Sequence, residues 1–300
     1  MQKVLLSLFI LISISLGAQD VPYLHRINQY LFNGMLLNPA YAGSREALSM
    51  TAMHRTQWAG FEGSPISQSF AAHSPTKKDK IALGVIIDNY SIPTVQYNSI
   101  YFNYAYRMWL GGSRLSLGLK AGGYAYKEKL SGLELHDPID PSFVGRSGIA
   151  PNFGAGAYLY NDKYFIGLSV PFFMSQSDTS SLAFDYKQYH FILSGGYLFD
   201  FGPNFKIKPS VLLDYNKFYL DYQASLHLIL LNDLIWIGSA YKGNRDMSVM
   251  LEVQLGPQIK IGYAYDYSLS EIAKFSNGSH EILIRYELMF KSKVISPFYF

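Results

Sequence analysis

Residues 246–267 read DMSVMLEVQLGPQIKIGYAYDY, and this stretch decides the fold. In its first half, Met247, Val249 and Leu251 fall on one face, while Glu252 falls on the other. After a Gly-Pro pair the alternation resumes, with isoleucine and tyrosine on one face and lysine, glycine, alanine and aspartate on the other. Successive side chains of a β-strand point to opposite faces, so a period of two on both sides of a tight turn predicts a β-hairpin.

The same period of two recurs outward from this hairpin along the chain. From residue 48 onward we count fourteen such runs, most of them close to the roughly 9–11 residues that a tilted membrane strand needs. The predicted strands are residues 48–58, 66–73, 81–89, 96–109, 113–126, 151–160, 164–171, 190–199, 204–215, 219–230, 234–242, 246–255, 258–267 and 279–290.

The connections between these runs alternate in length. Tight connections at 110–112, 161–163, 200–203, 231–233 and 256–257 follow even-numbered runs, and long ones at 127–150, 172–189 and 268–278 follow odd-numbered runs. Bacterial transmembrane barrels have short periplasmic turns and longer outside loops. The pattern therefore predicts an all-β fold, a transmembrane antiparallel β-barrel of about 14 strands with both termini in the periplasm.

The composition favours the same class of protein. Charged residues are only 16% of the chain, against about 25% in a typical soluble domain, whereas aromatic residues are 16%. Beyond the N-terminus we find no apolar run of 18 or more residues, so the pattern offers no spanning helix. A net charge of +3, scattered along the chain, does not indicate a nucleic-acid partner. We predict that the outer face of the barrel contacts outer-membrane lipid.

The N-terminus has the three-part pattern of a secretory signal peptide. Lys3 provides a positive start, an apolar stretch follows, and small residues precede a cleavage site after Ala18. A membrane anchor is the alternative, but the apolar stretch is shorter than the ~20 residues of a spanning helix. The predicted organisation is a signal peptide at 1–18, a periplasmic segment or plug at 19–45, an outer-membrane barrel at 46–290 and a tail at 291–300.

Motifs for catalysis, metal binding or cofactor binding are not found in the sequence. The chain has no cysteine, its seven histidines do not form an HxxxH or HExxH spacing, and no GxSxG element occurs. We therefore predict no catalytic, metal-binding or cofactor-binding residues.

Two blocks near the ends of the mature chain make it recognisable. Residues 38–43 read NPAYAG, and an R-x-Q-W element at 55–58 and a G-x-P at 63–65 follow; the second block is 262–270, GYAYDYSLS, with NGSHEI at 277–282. In these features the chain resembles the PorP/SprF family of type IX secretion system membrane proteins. The residues of these blocks that we select as structural or partner-facing are Asn38, Pro39, Ala40, Tyr41, Gly43, Arg55, Gln57, Trp58, Pro65, Tyr265, Asp266, Tyr267, Ser270, Gly278, Ser279, His280 and Glu281.

The resemblance implies a non-enzymatic outer-membrane barrel without cofactors in a Gram-negative bacterium. Relatives act with type IX translocon components. They assist secretion or cell-surface anchoring of large partner proteins, including gliding adhesins, that carry a C-terminal sorting domain. An outer-membrane channel or transporter for small solutes is the alternative, because a barrel of this size is wide enough for a pore or a plug.

The motif residues also have a structural interpretation. Pro39 restricts the residue before it, and Gly43 can supply a turn into the first strand. Arg55 and Glu281 can pair if the barrel closes between its first and last strands. We favour the interpretation that these blocks hold the closure and the termini together, which leaves the outer loops or the lumen for partner contacts.

Overall fold

The structure is a computed structural model that describes residues 30, 33–77, 79–128, 145–176, 182–183, 189–217, 220–243 and 245–288. The predicted signal peptide at 1–18, most of 19–32 and the predicted tail at 291–300 lie outside the described residues. None of the helices in the described ranges has the length and apolar character needed to cross a membrane.

The chain forms a closed antiparallel β-barrel of fourteen strands, which confirms the predicted fold. The strands are β1 (Leu48–Thr56), β2 (Ile66–Pro75), β3 (Ile81–Ile92), β4 (Val95–Leu110), β5 (Ser113–Glu128), β6 (Ser147–Tyr160), β7 (Tyr164–Val170), β8 (Phe191–Tyr197, continued as Phe199–Asp200), β9 (Phe205–Tyr215), β10 (Leu220–Leu230), β11 (Ile235–Lys242), β12 (Asp246–Gln254), β13 (Ile259–Ser268) and β14 (Ser279–Leu288).

Each strand pairs with its neighbours in sequence, and the ring closes where β1 pairs with β14. We call this junction the seam. Its register runs from Leu48 opposite Leu288 to Thr56 opposite His280. Closure leaves no unpaired edge strand in the described ring. A membrane requires this because lipid cannot satisfy free backbone groups.

The burial pattern is inverted relative to a soluble protein. In β12, Val249 and Leu251 are 61% and 48% exposed, whereas Ser248 and Glu252, on either side of this pair, are buried. Apolar side chains therefore point out of the barrel and polar ones into its interior, as expected for a barrel whose outer face contacts lipid. We call the interior the lumen.

Most strand boundaries differ from the prediction by one to four residues, and three differences have a clear cause or consequence. β1 ends at Thr56 because Trp58 adopts a positive φ of 52°, which a strand does not accommodate. β6 starts at Ser147 and contains Pro151 opposite Gly123, because β5 and β6 pair beyond the proline on which we placed the start. β8 is interrupted at Leu198.

The N-terminal segment, residues 33–47, lies inside the barrel. It contains two short 3-10 helices, Gly34–Leu36 and Pro39–Tyr41, and the second contacts β4, β5 and β6. At its end Arg45 reaches β14, on another part of the ring, where it pairs with Glu287. Because the segment contacts inward-facing groups of β4 to β6 and also of β14, it occupies the space between these strands in the lumen. A separate two-stranded ladder pairs Ser175–Gln176 with Leu182–Ala183.

Candidate functional site

Asn38, the first residue of the NPAYAG motif, anchors the N-terminal segment to the wall. Its Oδ1 atom accepts a hydrogen bond of 2.9 Å from the Ala40 amide, which caps the second 3-10 helix. Its Nδ2 atom donates to the Ala157 carbonyl of β6 at 2.9 Å. A Cβ atom on the neighbouring Gly156 would lie 2.2 Å from the Asn38 Oδ1. A glycine at 156 therefore lets this side chain reach the backbone of the wall.

Pro39 and Ala40 lie directly on the backbone of β5. A Cβ atom on Gly118 would come 2.1 Å from the Ala40 nitrogen and 2.4 Å from the Pro39 carbonyl carbon. The next residue, Tyr41, packs edge-on against His73 and Tyr158, with ring centroids 5.5 and 5.6 Å away. The motif thus packs closely against β5 because Gly118 has no side chain there, and the rings of His73 and Tyr158 lie beside Tyr41.

Gly43 makes the turn that leads toward β1. Its φ of 77° is in the left-handed region that favours glycine, and a Cβ atom there would lie 2.3 Å from the Ala82 Cβ. Its amide donates to His73 Nδ1 at 3.0 Å, and its carbonyl accepts from the Arg107 guanidinium. Both groups come from the wall, so the turn itself is held by β2 and β4.

Arg107 clamps the end of the N-terminal segment. Its guanidinium forms a two-pronged pair with Glu46, at 2.8 and 3.1 Å, and donates to the Asp79 carbonyl at 2.9 Å. The side chain is fully buried. Arg114 adds a second cation near Glu46, at 3.7 Å. The segment is therefore tied to β4 and β5 at the rim of tight turns, in addition to the Arg45–Glu287 pair of 2.7 Å at β14.

A second set of buried charges lies at the seam. Arg55 contacts Glu281 at 3.2 Å and Asp266 at 2.6 Å, and Lys242 contacts Asp266 at 3.1 Å. The predicted pairing of Arg55 with Glu281 is thus confirmed, and the two residues are direct partners in the register of β1 and β14. Ser248 completes the set by donating to Asp266 Oδ1 at 2.6 Å. We call the four charged residues the seam cluster; its two cations balance its two carboxylates.

Replacing Arg55 by glutamine is expected to lower the free energy of unfolding by about 3–5 kcal/mol, because the cation that contacts both buried carboxylates is lost. Urea unfolding in detergent micelles, followed by tryptophan fluorescence, measures the loss. Combining the change with Glu281→Gln should recover part of it, because one uncompensated carboxylate is removed. Equal stability of wild type and the single variant would contradict the role of the seam cluster.

Next to the seam cluster, hydrogen bonds order the first long loop and join it to the last long loop. The Gln57 amide donates to the Pro65 carbonyl at 2.9 Å, and the Trp58 amide donates to Ser279 Oγ at 3.0 Å. Ala59 and Gly278 continue the ladder with a bond of 2.7 Å. These bonds hold Trp58 in its left-handed conformation, so the R-x-Q-W and NGSHEI elements form one structure at the rim of long loops.

The tyrosines of the second block face away from the lumen. Tyr267 is 53% exposed, and the Tyr265 hydroxyl donates to the Asn277 carbonyl at 3.2 Å. The ring of His280 lies 5.3 Å from that of Tyr265. Ser270 starts the short 3-10 helix Glu271–Lys274, with its hydroxyl 2.8 Å from that of Ser268. The structure therefore separates the selected residues into a lumen group, a rim group and an outward aromatic group.

Several charged lumen residues escaped the sequence analysis as site candidates. Lys208, Lys260, Glu252 and Arg285 are buried on the inner face. Their positions alternate with apolar residues, and this alternation indicates that they face the lumen. It gives no information on which charged side chains contact one another inside the barrel. Within the described ranges, no group of three or more His, Cys, Asp or Glu side chains could hold a metal ion.

Solved structures with a similar fold include a toluene transporter and two hydrocarbon channels. The toluene transporter TbuX of Ralstonia pickettii aligns over 86% of this chain and 93% of its own, with 11% identity and a TM-score of 0.51. The monoaromatic hydrocarbon channel CymD aligns over 90% and 94%, with 13% identity and a TM-score of 0.50. A TodX monoaromatic hydrocarbon channel mutant aligns over 93% and 98%, with 10% identity and the same score. At these identities the likeness concerns the fold alone.

The sequence gives a narrower assignment. No curated protein matches the chain. A family model described as "Type IX secretion system membrane protein PorP/SprF" matches residues 18–286, which include both motif blocks and all but the last two residues of β14. The barrel and this family together support an outer-membrane location. The chain belongs to the PorP/SprF family of type IX secretion system membrane proteins.

Proposed function

We propose that this protein is a non-enzymatic barrel component of the type IX secretion system. It assists the secretion or cell-surface anchoring of a large, gliding adhesin-like partner that carries a C-terminal sorting domain. Family membership is the observation that carries the proposal. The proposal includes export by a signal peptide, association with translocon components, and both termini in the periplasm, where the tight turns lie.

The filled lumen supports a docking role over a conducting one. The N-terminal segment is fixed to β6 by Asn38, to β4 by the Arg107–Glu46 pair and to β14 by the Arg45–Glu287 pair. The charged side chains that point inward beside it are buried. Because these contacts hold the strands to the N-terminal segment, the barrel is suited to presenting a fixed outer surface to a partner.

The long loops at the outer rim provide that surface in the proposal. Phe275, beside the short helix Glu271–Lys274, is 66% exposed, and Phe61 in the first outer loop is 42% exposed. Exposed phenylalanines on loops beyond the strand ends are the side chains that protein interfaces favour. The backbone ladder at Ala59 and Gly278 holds these two loops together, which presents both rings on one ordered rim.

A mild-detergent pull-down from the native outer membrane tests the proposal. We expect mass spectrometry of the tagged protein to recover a large exported protein with a C-terminal sorting domain. Phe275→Ser should reduce recovery of that protein at least about tenfold if the ring is a central contact. The matched control is Phe201→Ser, because Phe201 is also 66% exposed but lies in a tight turn at the opposite rim.

A second candidate function is a channel or transporter for small solutes. The observation that favours it is that solved structures of similar fold are two hydrocarbon channels and a toluene transporter. A solitary barrel in the pull-down would count against the secretion proposal. Equal partner recovery with both phenylalanine variants would count against the outer-loop surface. Conductance in a planar bilayer then distinguishes the channel directly.

A further inference from the structure

Four polar side chains form a row across the outer face of the barrel, from β1 to β4. The members of this row pair directly in the register of consecutive strands, and we call them the polar row: His54, Gln68, Asn89 and Asn98. All four alternate with inward-facing residues, so their side chains point out of the barrel. An outer face that contacts lipid is otherwise occupied by apolar side chains.

Apolar side chains surround the β1 end of the polar row. On β2, Gln68 lies between Ile66 and Phe70, which are 37% and 39% exposed. On β14, the residue opposite His54 is Ile282, which is 47% exposed. The row therefore interrupts an apolar surface at this end.

The polar row is inclined to the plane of the membrane. Backbone pairing runs perpendicular to the strands, and barrel strands tilt by about 35–45°, so residues paired across four strands differ in height by about 10 Å. The strand lengths give the direction of the incline. His54 lies six residues from the end of β1 at the rim of tight turns, whereas Asn98 lies twelve residues from that end of β4. His54 is thus at the low end of the row.

The low end of the row lies at the depth of the hydrocarbon layer. At a rise of about 3.3 Å per residue and a tilt of about 40°, His54 is about 15 Å above the rim of tight turns and Asn98 about 30 Å above it. The apolar band of such barrels is about 25 Å tall. Asn98 therefore lies beyond the band, whereas His54 and Gln68, seven residues from the end of β2, lie within it.

Hydrogen bonds within the row satisfy only part of its polar groups. Gln68 Nε2 donates to His54 Nδ1 at 3.3 Å, and Asn89 Nδ2 donates to Asn98 Oδ1 at 2.7 Å. Among the residues that the structure describes, no donor reaches Gln68 Oε1 or Asn89 Oδ1. Acyl chains form no hydrogen bonds, so polar groups at this depth are costly unless another protein covers them.

We propose that the polar row is the contact surface for a different protein embedded in the same membrane. That protein carries hydrogen-bonding side chains on its own lipid-facing surface, at the depth of Gln68 and Asn89. A lipid headgroup stays at the interface and does not reach down to His54. A second copy of this chain fits poorly, because two barrels in one membrane share the incline and their facing rows would cross at one point. The proposal is independent of the outer-loop surface and of the secreted partner.

Site-specific photocrosslinking in the native outer membrane tests this surface. A benzophenone amino acid replaces Gln68 in the full chain, and a heat-modifiable gel band establishes that the protein is folded. We expect a product that mass spectrometry identifies as this chain joined to a different membrane-spanning protein. Adding Asn89→Leu should reduce the yield at least about threefold, because a hydrogen bond to the partner is lost. Leucine suits a lipid-facing position, so this variant should fold.

The matched control carries the same probe in place of Val211. Val211 is 40% exposed on β9, on the opposite side of the ring, and lies six residues from the rim of tight turns, as His54 does. This probe should not capture the same protein. A product at position 68 that contains only lipid, a second copy of this chain or a soluble protein would overturn the proposal. So would the absence of a product, equal capture at both positions, or a yield that Asn89→Leu leaves unchanged.

Discussion

Replacing Arg107 by methionine is expected to lower the free energy of unfolding by about 3 kcal/mol. Methionine fills much of the same volume, but it removes the cation that faces Glu46 and the donors to the Gly43 and Asp79 carbonyls. Breaking a buried ion pair commonly costs about 3–5 kcal/mol, and the lower end applies because Glu46 is partly exposed and keeps Arg114 at 3.7 Å.

Three variants test the origin of this effect. Arg107→Met combined with Glu46→Gln should be more stable than Arg107→Met alone, because the uncompensated carboxylate is removed. Arg107→Lys keeps the charge but loses the two-pronged geometry, so an intermediate loss is expected. Urea unfolding in micelles gives the three values. An Arg107→Met protein as stable as the wild type would show that the clamp does not hold the segment.

Replacing Gly118 by valine is expected to expel the N-terminal segment from its place and to raise the conductance of the barrel. The new Cβ atom would sit 2.1 Å from the Ala40 nitrogen, and backbone is the least yielding neighbour. Overpacking costs about 1–3 kcal/mol when the surroundings adjust. Here the cheapest adjustment is displacement of residues 38–41, because β5 is fixed by hydrogen bonds on both edges.

Gly195→Val is the matched control for this change. It lies in β8, and an added Cβ atom there would meet only the Phe165 carbonyl oxygen, at 3.6 Å, which is an ordinary contact. Valine suits a strand, so this variant should fold and conduct like the wild type. A folded Gly118→Val protein with wild-type conductance would mean that the segment does not close the lumen.

The strands were predictable because two local signals agree along most of the chain. A period of two places apolar side chains on one face, and Gly, Pro, Asn or Asp mark the tight turns. The signals failed where a non-local contact decides the backbone. Trp58 ends β1 because its amide bonds to Ser279, more than two hundred residues away, and β6 continues through Pro151 because β5 pairs with it there.

The site was predictable only where closure dictates a contact. Arg55 could be matched with Glu281 because a closed barrel pairs its first and last strands. Arg107 and Glu46 could not be matched, since no sequence spacing relates a strand residue to a segment without a period.

The most direct test of the filled lumen is the conductance of the wild-type protein in a planar bilayer, measured beside Gly118→Val. The wild type should insert with current steps close to the baseline, and the variant should give steps that are clearly resolved from it. A fourteen-strand ring is wide enough for an aqueous pore once its contents leave. Large, stable steps from the wild-type protein would contradict the account and favour the channel.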